Sequence, residues 1–330
     1  MDKRQFLIFL ALFLLTFLVF SLSVSIGTVK VSFSDIIRSI FYQNNQSGAD
    51  TIILQIRLPR VILSLLVGAS LGGAGTVFQS LFVNPMADAY IIGISSGSAL
   101  GAVLAIALNI RFYILGISSI PVFAFIGGVS TVLLVYAISS RGRHNQILNL
   151  LLSGLAINSF LSSVMSFLLL LSDTSLHESI YWLMGGFSGR GWEHIRIMTP
   201  YFILSVIILS LFTRELNILL LGDEQAQTLG VNVPQVRRII IVFTSLLTAT
   251  AVSVSGIIGF VGLVVPHILR LLIGPDNRML FPASLFGGAI LLTISDLIAR
   301  TALSPSEIPV GIVTSLIGAP FFISLLVKRG

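Results

Sequence analysis

The run Phe6-Leu-Ile-Phe-Leu-Ala-Leu-Phe-Leu-Leu-Thr-Phe-Leu-Val-Phe20 contains a single polar residue and no charge. Its apolar side chains are continuous rather than alternating, which favours a membrane-spanning helix over a strand of a β-barrel. Lys3 and Arg4 precede the run, as in a signal peptide, but no clear Ala-x-Ala cleavage site follows it. We therefore interpret the run as an uncleaved first span.

Composition extends this reading to the whole chain. Of 330 residues, 55% are hydrophobic and 10% are charged, against roughly 25% charged in a soluble domain. This excludes a soluble enzyme, a coiled coil and a disordered protein. The sequence predicts an all-α polytopic membrane protein, a single transmembrane domain over 1–330 with about ten helices. The predicted spans are 6–26, 60–82, 91–108, 117–138, 147–171, 195–213, 239–255, 257–273, 280–299 and 309–327.

The distribution of basic residues predicts the topology. An even number of spans places both termini on one side. With that side inside, 11 of the 19 Lys and Arg residues lie on the inner side, a weak bias towards cytoplasmic termini. Arg57, Arg60 and Arg300 then lie at outer ends of spans, where basic residues are unusual.

Several kinds of chemistry have no signal in this sequence. The net charge is +6, but the basic residues are dispersed without interleaved aromatic residues, so no nucleic-acid partner is expected. There is no cysteine, no metal-ligand cluster and no Walker A motif. We expect no catalytic residue, no metal and no cofactor on this chain. Any ATP and Mg²⁺ would belong to a partner ATPase.

Two long connections interrupt the spans. Segment 27–56 is polar and predicted to be an external loop. Segment 214–238 is predicted to be an ordered cytoplasmic loop, with a short helical pattern over Glu224–Leu229 and Gly230 as a helix C-terminal residue. An ordered loop of this kind suggests a soluble partner, whereas a packed connection at the membrane surface is the plainer alternative.

Small and polar residues within the spans allow several interpretations. Glycines at close spacing, such as Gly68, Gly72 and Gly75, favour close helix packing. Asn84-Pro85-Met86 predicts a non-helical turn, which is a candidate gate because irregular backbone at membrane depth lines cavities or is buried.

Two alternatives from other functional classes follow from single residues. Asp296 or His267 could carry protons in a secondary transporter, although Asp296 could equally be the intrahelical partner of Arg300, four residues away. Ser95 or Ser96, within a G-x-S-x-G pattern, could serve an intramembrane hydrolase, but the strand and helix context of that motif is absent.

A set of motifs from residue 57 to the C-terminus resembles the FecCD-type permeases, which are membrane subunits of type II ABC importers for iron-siderophore, haem and cobalamin. The matching stretches are Arg57-Leu-Pro-Arg60, Gly68-Ala-Ser-Leu-Gly72, Asn84-Pro-Met-Ala87, Gly93-Ile-Ser-Ser-Gly97, Leu151-Leu-Ser-Gly154, Tyr181-Trp-Leu-Met-Gly-Gly-Phe187, Leu221-Gly-Asp-Glu-Gln-Ala226, Leu229-Gly-Val231, Gly259-Phe-Val-Gly-Leu-Val-Val-Pro-His-Ile-Leu-Arg270, Asp296-Leu-Ile-Ala-Arg300, Glu307-Ile-Pro-Val-Gly311 and Gly318-Ala-Pro320. Together these motifs are specific.

The resemblance implies the type II ABC importer permease fold in a bacterial or archaeal cytoplasmic membrane. It implies a dimer with a second permease, identical or paralogous, with its pathway between spans five and ten of each copy. It further implies two ATPase subunits and an extracytoplasmic substrate-binding protein that delivers an iron chelate or a cobalamin-like cofactor.

The resemblance also implies roles for particular residues. Arg57, Arg60 and Arg300 would dock glutamates of the binding protein. Gly222, Asp223, Glu224, Ala226, Leu229 and Gly230 would form the loop that couples to the ATPase. Asn84, Pro85 and Met86 would form one cytoplasmic gate, and Ile147, Leu148 and Asn149, in the loop before span five, a second and more hydrophobic one.

Overall fold

The computed structural model describes residues 3–27, 48–88, 90–114, 116–140, 146–171 and 175–328. Most of the predicted external loop 27–56 therefore lies outside the described residues.

The described residues form thirteen α-helices of six residues or more that we number in chain order, joined by short connections. A helical turn, Gly48–Thr51, and a π-helical segment, Ile52–Arg57, lead into α2. One antiparallel pair of two-residue strands, β1 (Tyr113–Ile114) and β2 (Ile117–Ser118), precedes α4. The helices are α1 (Lys3–Ser25), α2 (Leu58–Leu81), α3 (Ile94–Ala107), α4 (Ser119–Ser139), α5 (Gln146–Leu171), α6 (Leu176–Leu183), α7 (Trp192–Leu211), α8 (Thr213–Leu219), α9 (Asp223–Thr228), α10 (Val233–Ser255), α11 (Val261–Ile273), α12 (Asn277–Thr301) and α13 (Val310–Lys328).

Each of the ten predicted spans corresponds to one helix. By length and composition, seven helices of the described residues could cross a membrane, and Ile94–Ala107, Val261–Ile273 and Val310–Ser324 are shorter apolar helices. The second span begins earlier than predicted, because the apolar residues Ile52–Leu54 continue the helix towards its N-terminus. Pro59 has no backbone N–H, and the residues just before it form π-helical turns, a widening of the helix that is frequent at functional sites.

Helix α2 is the centre of the bundle. Along its apolar stretch 83% of the residues are buried, against 6% along that of α5. The predicted glycine packing is confirmed: a Cβ on Gly68 would overlap the carbonyl oxygen of Gly288 in α12, and one on Gly75 would overlap that of Gly262 in α11. Glycine therefore sets how closely α2, α11 and α12 approach.

The helices alternate in direction, so the bundle has two ends. We call the end that carries Arg57, Arg60 and Arg300 the arginine end. The opposite end carries α8 and α9, and we call it the loop end. Here Asn217 Oδ1 accepts hydrogen bonds from the backbone N–H and the side-chain amide of Asn277 at 2.8 and 2.9 Å, which ties α8 to the start of α12.

Candidate functional site

The arginine end is built around a buried ion-pair cluster. Arg60 Nη2 lies 2.8 Å from Asp296 Oδ1, and Arg60 Nε donates to the same carboxylate at 3.0 Å. Arg60 Nη1 lies 2.8 Å from Oε1 of Glu307, in the connection between α12 and α13. The Asp296 side chain is fully buried, whereas that of Glu307 is 37% exposed. One guanidinium thus joins three segments of the chain.

The other two predicted docking arginines hold the end of α1. Arg57 Nη1 donates to the carbonyl oxygens of Val24 at 3.1 Å and Ser25 at 3.0 Å. Arg300 donates to the carbonyl oxygen of Ser23, and its Nε lies 3.7 Å from Asp296 Oδ2. Each of these guanidiniums satisfies carbonyls left free at a helix C-terminus.

All three arginines are therefore buried and engaged within their own chain. Their predicted contact with a binding protein stays a prediction. The spacing of residues along the helix predicts only Arg300 as a partner of Asp296, but the shorter contact is with Arg60 on α2. No local signal marks that pairing, because 236 residues separate the two.

A cavity of about 560 Å³ opens beside this cluster. Its charged lining residues are Arg60, Glu178, Arg190 and Glu307, and its aromatic ones are Tyr181, Trp182 and Phe187. The end of α6 and the segment that follows it form one wall of the cavity. Backbone hydrogen bonds fix this segment, from Gly186 N–H to Ser255 O at 2.7 Å and from Val310 N–H to Gly185 O at 2.9 Å.

Two donors on this wall lack acceptors. Trp182 is 7% exposed, and its indole N–H has no acceptor among the described residues. The same is true of Arg190 Nε, and Arg190 forms no ion pair with a described carboxylate. Burial lowers the pKa of Arg190, and the nearby Glu193 carboxylate offsets this in part. An arginine nevertheless stays charged. Tyr181–Phe187 matches a motif of the family, but the sequence indicates no role for it. No sequence pattern marks Arg190.

The loop end carries the predicted coupling residues. Helix α9 confirms the predicted short helix, and Gly222 and Gly230 flank it with positive φ angles of 102° and 82°. Ala226 is fully buried, whereas Glu224 and Leu229 are exposed. Asp223 Oδ1 accepts a 2.7 Å hydrogen bond from Arg237 Nη2, which anchors α9 to α10. The segment is ordered, as its pattern predicted.

The predicted gate residues differ in conformation. Asn84, Pro85 and Met86 form the expected non-helical turn, in which Asn84 Oδ1 accepts from Met86 N–H at 2.9 Å. Ile147, Leu148 and Asn149 do not form a loop: they are in the first turn of α5. The apolar character of Ile147 and Leu148 continues the helix there, and Ile147 packs against the hydrophobic core. Whether either group acts as a gate stays a prediction.

The two single-residue alternatives gain no support from geometry. Ser96 Oγ lies within hydrogen-bond distance of the side-chain oxygen of Asn158 and of Gly93 O, and neither is a general base. Asp296 is held by two arginines rather than open to a proton path. Asn158 and Gln79 bond backbone carbonyls of neighbouring segments, as expected for polar residues that join helices.

Comparisons with known proteins agree with this architecture. A model of the FecCD transport family matches residues 14–328. The cobalamin import system permease protein BtuC of Halobacterium salinarum is 44% identical over 281 residues, which are 85% of this chain and 74% of that protein. The hemin transport system permease protein HmuU of Yersinia pestis is 39% identical over 309 residues, 93% of this chain and 91% of that protein.

A solved structure has the same fold. It is an inward-facing conformation of a metal-chelate type ABC transporter, and it matches with a TM-score of 0.85 at 35% identity over 98% of this chain and 99% of that chain. This confirms the all-α polytopic fold. Together with the family match, it shows that the chain is a multi-span membrane permease and belongs to the FecCD transport family.

Proposed function

We propose that this chain is the permease subunit of an ATP-driven importer that carries an iron chelate, such as a siderophore complex or haem, or a cobalamin-like cofactor. It receives the substrate from a binding protein at the arginine end and releases it into the cytoplasm at the loop end. Both termini are then cytoplasmic. The observation that carries the proposal is the ordered segment of α8 and α9, in a chain that belongs to a transport family and has no nucleotide motif of its own.

The loop end fits a soluble ATPase partner. Leu221 and Leu229 are 55% and 60% exposed on either side of the polar helix α9. Exposed leucines on a fixed polar helix are a suitable contact for a groove in another protein. Because Asp223 and the buried Ala226 anchor α9, a push on this helix passes to α10 as a rigid-body movement. ATP and Mg²⁺ act on the partner.

Helix α5 supports a dimer with a polar pathway. It is the least buried of the seven longest spans, and it exposes four serines within two turns: Ser159, Ser162, Ser163 and Ser166. Three of these hydroxyls donate to carbonyl oxygens one turn earlier in α5, and their oxygens remain on the exposed surface, where they can line a path or contact a second subunit. Two permease copies, identical or paralogous, that meet around α5 and α13 enclose such a path.

The arginine end fits a binding protein that presents carboxylates. Of the two carboxylates on Arg60, only Glu307 is at the surface. A glutamate of the binding protein could replace it without leaving Asp296 unpaired. Docking by exchange keeps the buried half of the cluster intact and uses the bidentate geometry of arginine.

The decisive experiment concerns the source of energy. The chain is purified in mild detergent from its native membrane, co-purifying proteins are identified, and the complex is reconstituted in proteoliposomes. We expect a stoichiometric P-loop ATPase and uptake of ferric citrate, haemin or cobalamin that requires ATP. Uptake driven by a proton gradient without ATP would refute the proposal and return attention to Asp296 and His267.

The proposed path can be tested separately, since the chain has no cysteine. A membrane-impermeant maleimide reacts with thiolates, which form only where water reaches. Ser159→Cys should react in the assembled complex, whereas Leu204→Cys, on an exposed face of α7, should not. Equal labelling of the two would contradict a path along α5.

If a carboxylate of the binding protein replaces Glu307 on Arg60, removing the charge of Glu307 should strengthen docking. Glu307→Gln should strengthen binding of the co-purified binding protein, because the binding protein's carboxylate then has no competitor for Arg60 Nη1. Arg111→Gln removes an exposed pair with Glu178 at the same end and should change binding little. Weaker binding by the Glu307 variant would exclude the exchange.

A further inference from the structure

The geometry points to a ligand site within a single subunit: the cavity beside Arg60 binds the carboxylate end of a small chelate through Arg190, with its organic part against Trp182. The inference rests on the proposed function, because it names the class of chelate that this chain would accept. The ligand class is an iron chelate that carries free or peripheral carboxylates.

Of the charged residues that line the cavity, Arg190 is the one that forms no ion pair within the described part of the chain. Glu307 is paired with Arg60 at 2.8 Å, and Glu178 with Arg111 at 3.1 Å. Glu193 lies near Arg190 but is paired with His194 at 3.0 Å. Nε2 of His194 lies 3.4 Å from Arg190 Nη1. A partly buried guanidinium that makes no direct ion pair favours an anion in the space that it lines.

Two unsatisfied donors specify oxygen acceptors. Arg190 Nε and Trp182 Nε1 are buried and have no acceptor among the described residues. Leaving such donors unpaired is costly, so groups of this kind in native proteins usually meet a ligand or water. A carboxylate fits the planar fork of a guanidinium in a bidentate manner, which a neutral ligand cannot reproduce.

The size and aromatic lining indicate a small molecule rather than a protein side chain. A volume of about 560 Å³ is within the usual range of small-molecule sites, and far exceeds what one glutamate of a docked protein would need. Tyr181, Trp182 and Phe187 offer apolar surface to the rest of the ligand.

The wall that carries the donors is preorganised. Besides the two backbone bonds of Gly185 and Gly186, Gly185 has a φ of 68°, and a Cβ there would overlap the carbonyl oxygen of Ile257. Only glycine permits this close approach. A fixed wall limits the loss of conformational entropy when a ligand binds.

The chain provides its own reporter for this site, because it has two tryptophans. Trp192→Phe leaves Trp182 in the cavity wall. Trp182→Phe leaves Trp192, whose indole N–H donates to Leu54 O at 2.9 Å. The full chain in lipid nanodiscs is titrated with ferric citrate while tryptophan emission is recorded. We expect a saturable change of tryptophan emission in the Trp192→Phe protein. In the Trp182→Phe protein we expect only the linear decrease in emission that results from light absorption by ferric citrate.

Arg190 variants then test the anion. In the Trp192→Phe protein, Arg190→Gln should raise the apparent Kd for ferric citrate about 10-fold or more. Arg190→Lys, which keeps the charge but loses the fork, should lie between. Arg196→Gln, an exposed arginine on α7, should leave the Kd unchanged. Ferrioxamine E, an uncharged chelate without carboxylates, should bind equally weakly to all four proteins.

An unsaturable signal, or the same Kd for Arg190→Gln and its parent, overturns the site. Tight binding of ferrioxamine E that is the same with and without Arg190 also overturns the site. ATP-dependent uptake by the reconstituted complex separates the two hypotheses. If uptake persists while Trp182 reports no binding, only the site is wrong. If Trp182 reports Arg190-dependent binding while uptake does not need ATP, the importer proposal is wrong.

Discussion

Replacing Asp296 by asparagine removes the buried half of the cluster at the arginine end. Asp296 is fully buried, with Arg60 Nη2 2.8 Å and Arg300 Nε 3.7 Å from its carboxylate oxygens. The substitution keeps the size of the side chain but withdraws its charge. Arg300 is then left with the carbonyl of Ser23, and Arg60 with Glu307.

The structure predicts a large difference between the two carboxylates of this cluster. Breaking a buried pair by removing one partner costs about 3–5 kcal/mol. Glu307 is 37% exposed, and pairs of that kind contribute about 0–1 kcal/mol. A specific unfolding entropy of about 2.1 cal/mol/K per residue gives roughly 0.7 kcal/mol/K for 330 residues. We therefore expect Asp296→Asn to lower Tm by about 4–7 °C, and Glu307→Gln by less than about 2 °C.

The assay is thermal unfolding of the purified chain in detergent, followed by intrinsic tryptophan fluorescence at fixed pH and salt. The wild-type chain, Asp296→Asn, Arg60→Gln, Glu307→Gln and the double variant Asp296→Asn with Arg60→Gln are measured together. Because each single change leaves the other partner buried without its shortest ion pair, the double variant should lose at least about 2 kcal/mol less than the two single losses combined.

Two results would refute this reasoning. Equal Tm losses for Asp296→Asn and Glu307→Gln would mean that burial does not distinguish the two carboxylates. Strict additivity of Asp296→Asn and Arg60→Gln would mean that the two side chains do not interact energetically.

Further changes test packing, a connection and the loop end. Gly75→Ala should destabilise the chain by about 1–3 kcal/mol in the same assay, since its Cβ would overlap a backbone oxygen of α11, whereas Gly259→Ala meets open space and should keep the wild-type Tm. Tyr90→Phe should cost about 1–3 kcal/mol, because the hydroxyl donates to Ile258 O at 2.7 Å and accepts from Ile258 N–H at 3.2 Å; an unchanged Tm would contradict this. Leu229→Glu should reduce co-purification of the ATPase about 10-fold or more with little change in Tm, and full ATPase recovery would exclude Leu229 from the contact.

Local sequence determined the elements of this protein. Apolar runs as long as a bilayer specify spanning helices whatever their neighbours are, because every backbone polar group in lipid must be satisfied within its own helix. In the same way, Gly222 and Gly230 mark the two ends of α9, since glycine accepts the positive φ angles that the backbone has at these positions. The ordered combination of motifs was specific enough to indicate the transport family.

Local sequence was less accurate where the ends of helices depend on their surroundings. The prediction starts the second span at residue 60, yet π-helical turns extend it back through Ile52. The family resemblance implies a loop at Ile147, Leu148 and Asn149, whereas hydropathy starts the fifth span at residue 147, and the structure has all three residues in α5. In both places apolar residues lie next to a boundary, where the chain can continue a helix at little cost.

The contacts between helices were decided by tertiary structure alone. Sequence spacing offered Asp296 a partner four residues away, but the rotation and depth of α2 and α12, set by glycines at their contact, bring Arg60 closer. The cavity is likewise formed by segments distant in sequence, and only their packing brings Arg60 and Glu307 to the space that Trp182 and Arg190 line. Spacing along a helix specifies which residues share a face, whereas the register between helices depends on side-chain packing across the whole bundle.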